Sequence, residues 1–166
     1  MEILRSYLLF VIIILSGLYF TSLAQLSSSE LKILSEKADV ILTGKITQQA
    51  SSWNENKTRI YTHTTVQVED YIKGNNNGNT VTVTYPGGEV GDIGEKYSHM
   101  PSFENNEEVL LFLKKDSKNT GFKIVNGEDG KITVTTDAKT GEKITSSKRH
   151  ISSLTAQIKS YVDTKQ

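Results

Sequence analysis

The chain has 166 residues, in which 19 Lys plus Arg are balanced by 19 Asp plus Glu, and it contains no cysteine. The lack of thiols excludes disulfides, thiolate metal sites, a cysteine nucleophile and a lipid-modified N-terminal cysteine, so stability has to come from packing. A formal net charge of zero gives no electrostatic case for nucleic acid or for an anionic membrane surface.

Arg5 precedes an apolar run over 7–15, which continues through Leu18, Tyr19 and Phe20 and closes on Ser22-Leu23-Ala24. Charged, then apolar, then small is the order of a secretory signal, and the run falls short of the ~20 residues of a membrane-spanning helix. Residues 1–24 are therefore expected to be a signal peptide cleaved before Gln25, giving a secreted or periplasmic protein. Residues 25–166 are then one domain, long enough to bury a core. The alternative, kept open by Glu2 offsetting Arg5, is an uncleaved anchor that holds the domain at the membrane.

Ser27, Ser28 and Ser29 offer N-cap oxygens, and Leu31, Ile33, Leu34 and Ala38 recur at helical spacing, so a short helix opens the domain and Asp39 ends it. Residues 40–48 read as a first strand, with Val40, Leu42 and Ile46 on one side and Gly44 where a side chain would crowd a neighbour. The polar stretch 49–57 reads as a loop. Residues 60–72 form a long second strand with Ile60, Val66, Val68 and Ile72 in the same parity. A Gly/Asn turn at 74–79 leads to a third strand at 80–85, where Val81, Val83 and Tyr85 share a face and Pro86-Gly87-Gly88 stops the run.

A glycine-studded loop passes Gly91 and Gly94 and reaches Pro101; the most apolar strand, 109–113, follows and reads as central. Residues 121–125 and 131–136 read as a closing hairpin, or two short strands, around the turn at 126–130. Ser146 or Ser147 is expected to cap a C-terminal helix whose stripe is Ile151, Leu154, Ile158, Tyr161 and Val162. That stripe covers the sheet or, on a second reading, docks onto a partner in an envelope assembly. Together these elements give a mainly β fold: a small five-stranded OB-like barrel, with a short N-terminal helix and an amphipathic C-terminal one.

Residues 38–46 (ADVILTGKI) followed by 66–74 (VQVEDYIKG) resemble the netrin-like module of tissue inhibitors of metalloproteinases, and 108–113 (EVLLFL) is similar to a barrel-wall strand of those domains. With 86–91 (PGGEVG) the stretch also resembles a set of small exported bacterial proteins of unassigned role. The resemblance implies an OB-type barrel with flanking helices, a scaffold that hosts many functions. It does not carry over the inhibitors' zinc-directed N-terminal cysteine, because this chain has none and would begin at Gln25, a residue that can cyclise and lose its amine.

Chemistry-bearing residues concentrate in the 86–100 loop, where Gly87, Gly88, Gly91 and Gly94 accompany Glu89, Asp92 and Glu95, then Tyr97 and His99. Hard oxygen ligands among glycines suit a ligand or cation loop on the barrel rim, although the spacing matches no calcium loop and also fits a solvated bend. His63, His99 and His150 are isolated in sequence; a zinc site would need two of them to converge with a carboxylate. His63 has the parity of Tyr61 and Thr65 and is expected to face solvent. No Gly-x-Ser-x-Gly elbow or phosphate loop is present, and the adjacent pairs Glu69-Asp70 and Glu107-Glu108 point to opposite faces of a strand. Trp53, the single tryptophan, lies near Tyr61 among amides and suits stacking on a sugar or a partner side chain, or capping of the barrel. The Asn56-Lys57-Thr58 sequon has meaning only in a host that glycosylates its exports.

The expectation is an exported, non-enzymatic binding module. Its candidate ligand-binding residues are Trp53, Tyr61, Glu89, Asp92, Tyr97 and His99; no cofactor and no metal are called for, and its partner is an extracytoplasmic protein or glycan. One alternative is a metal-dependent hydrolase using His99 with Glu89, Asp92 or Glu95. Another is a structural or accessory envelope protein.

Overall fold

The computed structural model describes residues 26–74, 78–117 and 121–164. The expected signal segment, 1–24, lies outside the described residues, as does the middle of the Gly/Asn turn. Among the described residues no helix is long and apolar enough to cross a membrane.

Helix α1 (Ser28–Lys37) starts in a reciprocal cap: Glu30 N–H donates to Ser27 Oγ at 3.2 Å, and Ser27 N–H donates to the Glu30 carboxylate at 2.8 Å. Two otherwise orphaned helix donors are thereby satisfied. Leu31 and Leu34 are buried, while Ile33, expected among the periodic apolar positions, turns outward and is 46% exposed. Among the described residues nine strands follow: β1 (Val40–Trp53), β2 (Ile60–Lys73), β3 (Thr80–Pro86), β4 (Gly88–Val90), β5 (Ile93–Glu95), β6 (Glu108–Lys115), β7 (Phe122–Ile124), β8 (Lys131–Thr136) and β9 (Lys143–Thr145). Helix α2 (Ile151–Asp163) ends the fold.

Strands β1, β2, β3, β7 and β6 are hydrogen-bonded in that order, and β6 returns to pair with β1, from Val40 opposite Leu113 to Lys45 opposite Glu108. The barrel is therefore closed. All its pairings are antiparallel except β3 to β7, which is parallel at Val83 and Phe122. This is the Greek-key order of an OB-like barrel, extended by β8 on β6 and by β9 on β8.

Two cores share the barrel wall. Inside lie Val40, Leu42, Ile46, Val66, Val109, Leu111, Leu113 and Phe122. Outside, Ile41, Leu110 and Phe112 meet Leu31 and Leu34 of α1 and Ile151, Leu154 and Ile158 of α2. Strand β6 is apolar at every position from Val109 to Leu113 because one face fills the barrel and the other seats the helices. The C-terminal stripe is thus absorbed by its own chain. Gly44 lies where β1 crosses closest to β2; a Cβ there would stand 2.4 Å from the Gln67 carbonyl oxygen.

Several expectations need correction. Strand β1 does not stop at Gln48 but runs to Trp53, paired with β2 as far as Ile60, so the expected loop over 49–57 shrinks to a short turn. The parity of β2 does not keep one face, because irregularities in the β1–β2 register let Val66 point into the barrel while Ile72 joins the helix side. Residues 121–125 and 131–136 hold the two short strands of the second reading and not the hairpin, since they do not pair with each other. Strands β7 and β8 instead take successive stretches of β6, opposite Leu113 and beyond for β7 and opposite Glu108 to Leu111 for β8. The cap of α2 is His150, without a side-chain hydrogen bond, while Ser147 Oγ is engaged with Thr145 Oγ1 at 2.9 Å.

Candidate functional site

The far half of β1, the start of β2 and the end of β3 form one mouth of the barrel. Alternation brings Ser51 of β1 and Thr62 of β2 to the inner face there, where their hydroxyls meet at 2.9 Å. The hairpin β4–β5 lies across them. Thr62 Oγ1 donates to the Gly87 carbonyl at 2.7 Å, and a Cβ on Gly88 would sit 2.3 Å from both hydroxyl oxygens. Only glycine lets the hairpin rest on this polar floor, and Gly88 also takes a φ of 127° that side chains avoid. The other arm of the hairpin is tied down through Glu95, whose Oε2 accepts from Ile60 N–H and from the Tyr97 hydroxyl, both at 3.2 Å. Desolvation, the largest cause, raises the Tyr97 phenol above its ordinary range, and the hydrogen bond to Glu95 and its charge add to the effect.

The resulting cleft, of about 610 Å³, is walled by Gln49, Tyr85, Phe103 and the hairpin. Gln49 Nε2 donates to the Phe103 carbonyl at 3.1 Å, and its Oε1 accepts from the Tyr85 hydroxyl at 3.4 Å. The Tyr85 and Phe103 rings lie 5.3 Å apart, and Lys131 Nζ stands 4.8 Å from the Phe103 centroid. One step along the inner face of β2 from Thr62, fully buried Thr64 has a hydroxyl with no hydrogen-bond partner. Lys131 also pairs with Glu107 at 2.7 Å, both side chains about nine-tenths buried, which fastens the 102–107 loop to β8.

A second cleft, of about 560 Å³, adjoins the first across Tyr85, Pro86 and Met100 and is lined by Trp53, Tyr61 and His63. Trp53 is half-buried at the end of β1. His63 is exposed, as its parity implies, with Nδ1 3.0 Å from Thr84 Oγ1.

The six sequence-nominated residues are divided. Trp53 and Tyr61 line the second cleft, and Glu89 and Tyr97 line the mouth. Asp92 sits exposed at the tip of the β4–β5 hairpin, among the lining residues of neither cleft. His99 is exposed and also lines neither; its carbonyl accepts from Glu128 N–H at 3.1 Å. Among the described residues no three His, Asp or Glu side chains gather as a metal-ion site, so His99 is not assembled with Glu89, Asp92 and Glu95. Gln49, Ser51, Thr62 and Tyr85 escaped sequence reasoning. Reading 49–57 as a loop hid the alternation that aims Gln49 and Ser51 inward; the Thr-rich pattern opposite them was the available signal.

The mouth offers neutral hydroxyl and amide groups beside aromatic faces. Ser51 and Thr62 spend their hydroxyls on each other and on a backbone carbonyl, which is not the arrangement of a nucleophile with its base. No protein-family model matches this chain, and no curated protein matches it as a relative.

Proposed function

We propose that this chain is an exported, non-enzymatic binding module of netrin-like type, and that its contact surface is the pair of clefts meeting along Tyr85, Pro86 and Met100. The observation that carries the reading is the placement of Trp53 and Tyr61 together in one open cleft, beside a mouth whose polar groups are held by the fold. Large amphipathic rings on a rigid barrel supply contact area at low entropic cost. The hydrogen-bonded state of Ser51 and Thr62 supports binding over acyl transfer, and the burial of Ile151, Leu154 and Ile158 in the chain's own core supports the clefts over α2 as the contact region.

The test is a screen of protein recovered from expression of the full chain against glycan and envelope-protein arrays, alongside Trp53→Ala and Tyr61→Ala variants checked for native melting. Ligands are expected to bind the wild type, survive unaltered, and lose about tenfold or more in affinity with either variant. Binding untouched by both substitutions overturns the site; turnover of the bound material overturns the non-enzymatic reading.

A further inference from the structure

The uncharged polar side chains of the barrel mouth, Gln49, Ser51, Thr62, Tyr85 and Tyr97, have spent their protons on one another and on the fold. Thr62 gives its single hydroxyl proton to the Gly87 carbonyl, so the contact with Ser51 has to be made by the Ser51 proton, donated to Thr62 Oγ1. The Gln49 amide nitrogen serves the Phe103 carbonyl at 3.1 Å and Asn105 Oδ1 at 3.4 Å, which fixes the amide with its oxygen towards Tyr85. Tyr85 therefore donates to Gln49, and Tyr97 donates to Glu95. What remains on Ser51 Oγ and on the two phenol oxygens is lone pairs, which accept and cannot donate. Ser51 and Tyr97 flank the same dipeptide: a Cβ on Gly88 would stand 2.3 Å from Ser51 Oγ, and one on Gly87 3.5 Å from Tyr97 Cδ2. Thr64 keeps an uncommitted proton, but it is fully buried and is not among the residues that line the cleft.

The charged groups carry the same bias. Glu89, exposed, and Glu95, half-buried, both line the cleft, and neither is ion-paired among the described residues. Glu95 Oε2 takes the Ile60 N–H and the Tyr97 hydroxyl, which leaves its second oxygen without a hydrogen-bond partner among the described residues. Two lining side chains, Lys96 and Ser102, retain free donors, and both are exposed. Phe103 already has the Lys131 ammonium 4.8 Å from its centroid, whereas the Tyr85 ring, 5.3 Å from Phe103, has no cation over it among the described residues.

We propose that the barrel mouth is a site for a guanidinium or primary ammonium group, whose N–H donors are met by the lone pairs of Ser51, Tyr85 and Tyr97 and by the carboxylates of Glu89 and Glu95. This rests on the binding-module reading and names what the mouth takes, independently of the Trp53 cleft. Such a cation carries donors and no acceptor, the complement of a lining whose own protons are used up. Hydrogen bonds from it to a carboxylate belong to the strong, charge-assisted class, and the unoccupied Tyr85 ring adds a further attraction. An anionic group would meet two carboxylates and find Lys96 as its one cation. A neutral hydroxyl ligand would leave both carboxylates without a counter-charge.

Protein recovered from expression of the full chain is titrated, with chemical-shift perturbation as the readout, against ethylguanidinium, butylammonium and a blocked glycine peptide carrying a single arginine. The same peptide with glutamine in place of arginine, and tetramethylammonium, a cation without N–H donors, are the comparators. Glu89→Lys, at an exposed position, and Tyr85→Phe, which keeps the ring and removes an acceptor, are run alongside with melting curves to verify folding. The arginine peptide or the small cations are expected to shift resonances of Ser51, Tyr85 and Tyr97, and to bind about threefold to tenfold more weakly to either variant. Binding of the small cations as well as the peptide assigns the site to the cationic group alone; binding of the peptide alone assigns it to a basic side chain of a protein. No binding by any of the three, equal binding of tetramethylammonium or of the glutamine peptide, or wild-type affinity in both folded variants overturns the inference. A ligand whose capture needs Trp53 but is indifferent to Glu89→Lys and Tyr85→Phe would likewise overturn it while leaving the binding-module reading in place.

Discussion

Gly88→Ala is the substitution that most directly probes how the barrel mouth is closed. The new methyl would meet Ser51 Oγ and Thr62 Oγ1 at 2.3 Å each and Ser51 Cβ at 2.9 Å, well inside van der Waals contact. It would also have to occupy a φ of 127°, for which a non-glycine residue pays about 1–3 kcal/mol. Relieving the overlap breaks the Ser51–Thr62 contact and the Thr62 bond to Gly87, at about 1 kcal/mol each. The sum is about 3–5 kcal/mol, limited by what docking of the hairpin is worth, since the hairpin can lift instead. At about 4 °C per kcal/mol for a domain of this size, Tm should fall by roughly 10 °C or more. Gly91→Ala is the control: Gly91 also has positive φ, 61°, but nothing lies within 4 Å of its Cβ direction, so only the backbone term of about 1–2 kcal/mol applies. Thermal melts compare the two, and amide exchange at Ile60 and Gly87, whose N–H groups bond to Glu95 and to the Ile60 carbonyl, reports whether the hairpin has lifted. Equal Tm values for the two variants, with exchange at Ile60 and Gly87 unchanged from wild type, would refute the account of Gly88 as the residue that seats the hairpin.

Phe112→Ala should cost about 3–5 kcal/mol in urea unfolding, because its ring is fully buried between the barrel wall and the helices. Ser27→Ala removes the capping box of α1 and should cost about 1 kcal/mol, read in the same assay. Desolvation is the largest single influence on Glu107 and pushes its carboxyl upward, but hydrogen bonds from Lys131, Thr133 and Glu104 N–H, with the charge of Lys131, outweigh it and leave the pKa below the ordinary value. A depressed folded-state pKa means that this stabilisation is present above the unfolded carboxylate range and is lost as pH falls through it towards the folded value. Urea midpoints measured from neutral to acid pH should therefore fall less steeply in Glu107→Gln than in the wild type, and parallel curves would remove Glu107 from the account.

Alternation and apolar runs made the barrel legible. Val40, Leu42 and Ile46 point inward as their spacing implies, and the unbroken 109–113 run betrayed a strand buried on both faces. What failed depended on information that is not local. Ile72 departs from the face of Val66 because register irregularities between β1 and β2 shift the alternation, and nothing in a period-two pattern announces them. Strands β7 and β8 resemble a hairpin until β6 is seen to offer each a different stretch of the same edge. The polar residues Gln49 and Ser51 looked like loop because a barrel mouth tolerates hydroxyls and amides on its inner face. Asp92 and His99 share a short segment with Glu89 and Tyr97 but not their cleft, and the β4–β5 hairpin sends Asp92 to its tip. Trp53 and Tyr61 were nominated near each other in sequence and both line the second cleft, although the β1–β2 ladder sets Trp53 opposite Ile60 and so gives Tyr61 the other face of the strand pair.

The pairing of β1 with β6 has a consequence for the order in which the chain takes shape. Val40 meets Leu113 only after almost all the intervening chain exists, so the hairpin of β1 and β2 is the largest piece that forms from neighbouring sequence. Such distant pairing gives a high contact order and slow folding, because loop closure precedes the contacts that reward it. A chain threaded N-terminus first through a narrow pore would carry β1 and β2 across with their hydrophobic edge still unclaimed. It would become a barrel only when Phe112 and Phe122 had followed.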